Sequence, residues 1–348
     1  MAIVRVDPAG EPAWDRYVEG HPDGTAYHLS AWSSNLERTY RYRPLHLALR
    51  GPDGRLSGVL PLLTRRGVVS GRRVWSLPAV PIGGPLADDP QGAAALMSSA
   101  CELARARRCD LVVDSFAAGL EDLVPELACF EQPPTLMLEL PESGLDAWLG
   151  ERSRNLRRSI RKALDSRLTM RDDGGRDDLR AFHRLYAEAM RAKGTFPRPL
   201  AQMTRDWEAL APSGVFRLFV LEDGGRQVGG LLCHAFRDTL DLMVIASDDS
   251  LQKMRPHHAL YMRSIEWAAE NGLRRVDFGW SSAGSNAEFK ESWGARPLDR
   301  FGYRYPPSSG GSAIDAPRPG DNRAAKWLWD RTPLSVVSLA GSFAYRYL

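Results

Sequence analysis

Asp277-Phe278-Gly279-Trp280-Ser281-Ser282 ends a short apolar run and opens a loop of small residues; Phe289-Lys290-Glu291-Ser292-Trp293-Gly294 and the strand-like Phe301-Gly302-Tyr303-Arg304-Tyr305 follow. An apolar strand closing on Asp-Phe-Gly, a Phe-Lys-x-x-Trp-Gly turn and an aromatic final strand describe an α/β unit. Upstream, a helix-patterned stretch opening at Ala259-Leu260 leads into Arg275-Val276-Asp277. The same succession occurs earlier, where Ala95-Leu96 opens a stretch leading to Leu111-Val112-Val113-Asp114.

A second pair of matching elements supports a duplication. Leu47 to Leu60 and Leu218 to Leu231 each place two apolar strand patterns around an Asp-Gly turn, a strong hairpin signal. The hairpins lie 171 residues apart (47 to 218) and the helix-strand units 164 apart (95 to 259), so order and spacing are shared. Each half reads as a mixed sheet flanked by helices. The expected division is 1–145, 146–306 and a C-terminal segment 307–348. Pro306 to Ser312 and Pro317 to Gly320 read as an irregular connector.

The composition allows two domains and excludes several classes of function. The 348 residues are 43% hydrophobic, and 46 Lys+Arg against 43 Asp+Glu leave a net charge of +3, so attraction for polyanions must come from local clusters. Cys101, Cys109, Cys129 and Cys233 show neither a disulfide framework nor metal-ligand spacing, and no metal site is expected. Met1 to Asp7 carries no secretion pattern, and no uncharged apolar run approaches the roughly 18 residues of a membrane span. The expected location is the cytoplasm.

One local cluster is pronounced. In Ser153 to Leu164, apolar Leu156, Ile160 and Leu164 recur at helical spacing, while Arg154, Arg157, Arg158, Arg161 and Lys162 share the other side. Guanidinium groups keep their charge and bind phosphate in bidentate fashion. A tRNA acceptor stem, a nucleotide diphosphate or an anionic membrane would each suit this face, as would simple solvation.

These motifs together resemble the FemABX-like aminoacyltransferases and their relatives in the Gcn5-related N-acetyltransferase (GNAT) superfamily. The resemblance rests first on Asp277 to Ser282, Phe289 to Gly294 and Phe301 to Tyr305, and on Asn155, Arg157, Arg158, Arg161, Lys162 and Ala163 at the start of the second half. Further matches are His21-Pro22, Tyr27-His28, Trp32, Gly58 to Leu62, Ser76-Leu77-Pro78, Gly83 to Asp88 and Lys193-Gly194-Thr195, in the manner of a FemAB-like branch associated with exosortase and exopolysaccharide clusters. It covers roughly residues 20 to 305 and implies tandem GNAT-like domains in a transferase acting on cell-envelope precursors. Aminoacyl-tRNA or acyl-CoA would be the donor substrate, with no tightly bound cofactor. Where acetyl-CoA enzymes place a glycine loop for pyrophosphate, this chain has Gln252-Lys253-Met254-Arg255-Pro256-His257-His258-Ala259. That departure favours aminoacyl-tRNA, with an acyl-CoA-dependent N-acetyltransferase and a non-catalytic membrane-associated scaffold as the alternatives.

Acyl transfer to an amine requires a deprotonated amine, a stabilised oxyanion and a protonated leaving group. No Gly-x-Ser-x-Gly nucleophile motif occurs, so direct attack is expected. Lys290 is the first candidate for the stabilising cation and Lys193 the second, with Asp277 or Glu291 as proton acceptor. The five basic helix residues, Arg255, His257, His258, Trp280 and Ser281 are the candidate substrate or phosphate ligands. Phe289 and Trp293, at i and i+4, are expected in the core. Asn322 to Leu348 mixes Trp, Tyr and Phe with Arg and Lys, which suggests an amphipathic C-terminal helix either at the inner face of the cytoplasmic membrane or packed on the protein.

Overall fold

The computed structural model describes residues 2–67, 71–78, 80–281, 284–306 and 323–347. The chain forms two compact units: Met1–Pro133 with the described parts of Asp299–Ala316 and Phe343–Leu348, and Pro134–Leu298 with the described part of Pro317–Ser342. The 306–312 and 317–320 connector lies almost entirely outside the described residues.

In the second unit the strands run in the order Leu168–Arg171, Phe216–Asp223, Arg226–Phe236, Thr239–Ser247, Arg275–Trp280 and the 135–139 part of Ala128–Glu139. Every neighbour is antiparallel except Thr239–Ser247 against Arg275–Trp280, which are parallel and therefore need a crossover. Helix Pro256–Glu270 supplies it. Val276, Phe219, Leu231, Ile265 and Trp293 form its core.

The first unit repeats this plan with two short strands added, Arg43–Pro44 beside Leu63–Gly67 and Leu86–Ala87 beside Leu56–Leu60. Ala2–Arg5, Leu47–Arg50 and Leu56–Leu60 are antiparallel, as are Leu63–Gly67 and Gly71–Trp75. Gly71–Trp75 is parallel to Asp110–Ser115, and helix Pro90–Ala106 makes the crossover. Residues 301–305 then complete the sheet antiparallel to Asp110–Ser115, as 135–139 do in the second unit. The single strand Arg226–Phe236 of the second unit is split here into Leu56–Leu60 and Leu63–Gly67 around Pro61, whose missing N–H interrupts a ladder. The fold is thus α/β, with two similar units in tandem, each of mixed sheet and flanking helices.

Three local readings are corrected. The hairpin of the second half turns on Gly224 and Gly225, at φ +59° and +79°, so Asp223 is the last strand residue rather than part of an Asp-Gly turn. Helix Arg154–Leu164 buries Ala163 beside Leu156 and Ile160, while Leu164 is exposed. The C-terminal segment is two helices, Arg323–Arg331 and Leu334–Tyr347, separated at Pro333, rather than one amphipathic helix. Trp329 packs edge-on to Phe196, Arg191 donates to the Thr332 carbonyl at 3.2 Å, and Val337 is buried. No helix among the described residues is long and apolar enough to cross a membrane.

Candidate active site

The parallel strands Thr239–Ser247 and Arg275–Trp280 pair at only three positions, the last being Asp241 opposite Asp277. Past that point Gly279 takes φ +74°, a conformation that disfavours any side chain, and the register against residues 135–139 shifts between Asp277 and Trp280. The bend turns the carbonyls of Gly279 and Trp280 towards Lys290, whose Nζ donates to them at 3.0 and 3.1 Å. These two bonds leave one of three ammonium protons without an acceptor among the described residues.

Lys290 is 6% exposed. Burial is the main influence on its ammonium and lowers the pKa to about 8 from an ordinary 10.5, opposed by the negative charges of Asp277 and Asp241. Asp277 Oδ1 accepts hydrogen bonds from the Gly279 N–H at 2.8 Å and from the Thr135 hydroxyl. Asp241 and Thr135 are site residues that sequence reasoning missed. Both stand on neighbouring strands, and only strand register brings them beside Asp277.

The Phe-Lys-x-x-Trp-Gly turn explains how Lys290 is held. Helix Ser285–Ser292 ends at Trp293, which is fully buried with ring centroids of Tyr261, His258 and Phe278 at 5.8, 5.9 and 6.3 Å. Gly294 has φ +91°, and a Cβ there would lie 2.1 Å from Arg152 Nη1. Lys290, three residues before Trp293, therefore occupies a helix face fixed by the core. Phe289 contacts His258 and Tyr261, so the expectation of core packing for Phe289 and Trp293 holds.

The other predicted residues fall into separate groups. Trp280 is 44% exposed beside the buried Ser281, whose hydroxyl accepts from Asn286 at 3.0 Å; Ser282 lies outside the described residues. Glu291 is exposed and one residue on from Lys290, about 100° around the helix. Lys193, just past helix Arg176–Ala192, is exposed and lies close enough to His257 to disfavour its protonation, after burial. Burial foremost, then Arg255 and His257, lowers the His258 pKa to about 4, so its imidazole is neutral at pH 7 and edges onto aromatic rings.

Arg255 adopts the left-handed conformation, φ +60°, before Pro256 opens the crossover helix. Proline has no N–H, and the His258 N–H is already bonded to the Arg255 carbonyl at 3.0 Å, so this helix start offers a phosphate fewer donors than a glycine loop. Arg154, Arg157, Arg158, Arg161 and Lys162 are all exposed, and among the described residues no ion pair engages them. Their helix packs on the crossover helix through its opposite face.

Residues 150–291 match the family described as Acetyltransferase (GNAT) domain. No curated protein sequence gives a significant match. Among solved structures the chain is similar to FemX, with a TM-score of 0.67 and 17% identity over 87% of this chain and 97% of that one. It also resembles the C-terminal domain of a proposed lysylphosphatidylglycerol synthetase from Agrobacterium fabrum, with a TM-score of 0.57 and 13% identity over 92% and 94% of the two chains. A tandem GNAT protein from the clavulanic acid biosynthesis pathway gives 0.54 and 11% identity over 89% and 99%. The chain therefore shares the fold of FemX, and residues 150–291 of its second unit match a GNAT acetyltransferase domain.

Proposed function

We propose that the protein transfers an aminoacyl group from aminoacyl-tRNA to an amine of a cell-envelope precursor. The observation that carries this reading is Lys290, a buried lysine held by two carbonyls where the parallel strands stop pairing. The names of FemX and of the Agrobacterium fabrum synthetase support an envelope acceptor. The unpaired basic helix and Pro256 favour tRNA over a CoA pyrophosphate.

In this mechanism the acceptor amine attacks the carbonyl carbon of the aminoacyl ester. The free proton of Lys290 binds the developing oxyanion, and Asp277 receives the proton that the amine sheds. Collapse of the intermediate breaks the ester bond; the departing tRNA oxygen takes the proton held by Asp277 and leaves as the hydroxyl, which restores the carboxylate. Asp277 is preferred to Glu291 because it is fixed by Thr135 and Gly279 and shares the environment of Lys290.

Incubation with labelled aminoacyl-tRNAs or labelled acetyl-CoA, together with a membrane-precursor extract, tests the donor. Label moving only from tRNA supports the proposal; label moving only from CoA establishes the second reading, which the GNAT family match favours. No transfer, in an extract competent for a known transferase, leaves a scaffold. Such a scaffold would meet a membrane through the exposed Val336, Leu339 and Phe343 of the last helix.

The Lys290 ammonium predicts a pH dependence. Transfer should fall as pH rises through about 8, where the proton is lost. The same depressed pKa makes the unfolded chain bind the proton more tightly between about 8 and 10.5, so this group raises stability across that window. A declining rate with an undiminished melting temperature is the expected pair of results. A rate that climbs steadily through pH 9 would remove the ammonium from the mechanism.

Charge reversal at Arg157 and Arg158 should raise the KM for aminoacyl-tRNA about tenfold or more and flatten the salt dependence of binding by about one unit of slope per lost phosphate contact. The turnover number should hold. Unchanged KM and salt slope would return this face to simple solvation.

A further inference from the structure

The first unit contains a cavity of about 540 Å³ that shares no residue with the site around Lys290. It opens between the end of helix Ser30–Tyr40, the edge strand Arg43–Pro44 and the strands Leu63–Gly67 and Gly71–Trp75. Its lining includes Arg41, Arg43, Arg65 and Arg72, joined by Arg5, Arg107 and Arg346 from elsewhere in the unit. No carboxylate lines it among the described residues.

Seven guanidinium groups around one cavity repel one another, and Arg65 is the one among them that is buried. Arg65 is 3% exposed, yet its Nε and Nη1 are buried without a hydrogen-bond partner among the described residues. One face of its guanidinium lies 4.7 Å from the Trp75 ring centroid, which supports the plane but satisfies none of its N–H groups. An ionised group with unmet donors is costly inside a protein unless an anion completes it. Arg5 and Arg107 each spend one nitrogen on a main-chain carbonyl, Pro44 at 3.4 Å and Leu103 at 3.2 Å, so neither is neutralised there. Burial also lowers the Arg65 pKa to about 10, with Tyr42 opposing and Arg73 adding to the effect.

The frame around this charge is rigid. Tyr42 donates its hydroxyl to the Tyr345 carbonyl at 2.5 Å, and Tyr40 lies 5.3 Å from Tyr42 and 6.3 Å from Tyr345 between ring centroids. This packing fixes the last helix turn that carries Arg346 into the lining. A cavity of this volume falls in the range of small-ligand sites.

We infer that this arginine cavity is a binding site for a multiply charged phosphate, with Arg65 at its floor and Arg43 and Arg72 at its rim. Phosphate offers the density of acceptor oxygens that several guanidinium forks demand, which a lone carboxylate does not. The inference is independent of the transfer reaction and of its donor. A nucleoside diphosphate and the phosphomonoester headgroup of a lipid such as phosphatidic acid present the same chemistry, and the experiment separates them.

Inorganic pyrophosphate titrated calorimetrically into the full chain at low salt should bind one to one. Binding should weaken about tenfold or more in Arg65→Met and in Arg43→Ser/Arg72→Ser, and should persist in the variant with reversed charges at Arg157 and Arg158. The rim variant changes exposed residues only, so an unchanged melting temperature keeps its result interpretable even if Arg65→Met folds poorly. Uridine diphosphate, and vesicles of phosphatidic acid in phosphatidylcholine, are then compared. Whichever binds more tightly, with the same loss in the rim variant, identifies the source. Absence of pyrophosphate binding, or binding that the rim variant retains in full, would overturn the site.

Discussion

Replacing Lys290 by methionine is expected to lower transfer about 10²- to 10³-fold, the range observed when one donor to an oxyanion is removed. The fold should survive this change. Methionine fills the same space as the lysine stem, and removing the ammonium also removes the cost of burying a charge whose pKa has already fallen to about 8. The carbonyls of Gly279 and Trp280 lose their donor, which offsets part of that gain. Melting temperature should consequently move little while the rate collapses. The remaining activity should also lose its decline above pH 8, because the group responsible is gone. Two results would count against the assignment: a variant that keeps more than about a tenth of the rate, or one that keeps the alkaline decline. Asp277→Asn gives the complementary case. It preserves acceptance from Thr135 and Gly279 in outline but removes the carboxylate, so it separates holding Lys290 from accepting a proton.

Much of this organisation was legible in the chain. The hairpin at Leu47 to Leu60, the helix patterns opening at Ala95 and Ala259 and the strands they lead to are local features, written in apolar spacing and turn residues. The tandem plan followed from their repetition. Other features depend on partners far apart in sequence. Residues 301–305 complete the first unit although they follow the second, and 135–139 complete the second although they precede its helices. No periodicity encodes which sheet accepts such a strand. Pro61 is visible in the sequence, but its effect of dividing one long strand into two is apparent only beside the unbroken Arg226–Phe236. At the candidate site, Lys290 and Asp277 were marked by their motifs. Asp241 and Thr135 were hidden because their proximity is a matter of register. The arginine cavity escaped for the same reason, since its members run from Arg5 to Arg346 and form no charge run. The basic helix had the opposite property: five charges at helical spacing are readable at once.

Truncating Trp293 to alanine is expected to cost about 3–5 kcal/mol of stability, the usual price of a large aromatic cavity in a core. Trp293 is fully buried and touches the aromatic rings of Trp148, His258, Tyr261, Phe278 and Phe289, which come from four separate segments of the second unit. Its removal should also loosen helix Ser285–Ser292, because Gly294 and Trp293 are what fix the end of that helix. Trp293→Phe should cost less than about 2 kcal/mol. Phenylalanine keeps most of the apolar contact and discards an indole N–H that is buried without a hydrogen-bond partner among the described residues. Urea denaturation of the three proteins measures the stabilities directly. The functional consequence follows from the geometry: Lys290 stands one helical turn before Trp293, so a mobile helix end releases its ammonium from the carbonyls of Gly279 and Trp280. A freed, hydrated lysine regains a pKa nearer its ordinary value, and the alkaline decline in transfer should move upward from about 8 in Trp293→Ala but not in Trp293→Phe. Loss of less than about 1 kcal/mol in the alanine variant would show that this aromatic cluster does not hold the helix. Loss of stability with an unmoved pH profile would show that Lys290 is positioned by something other than the turn that follows it.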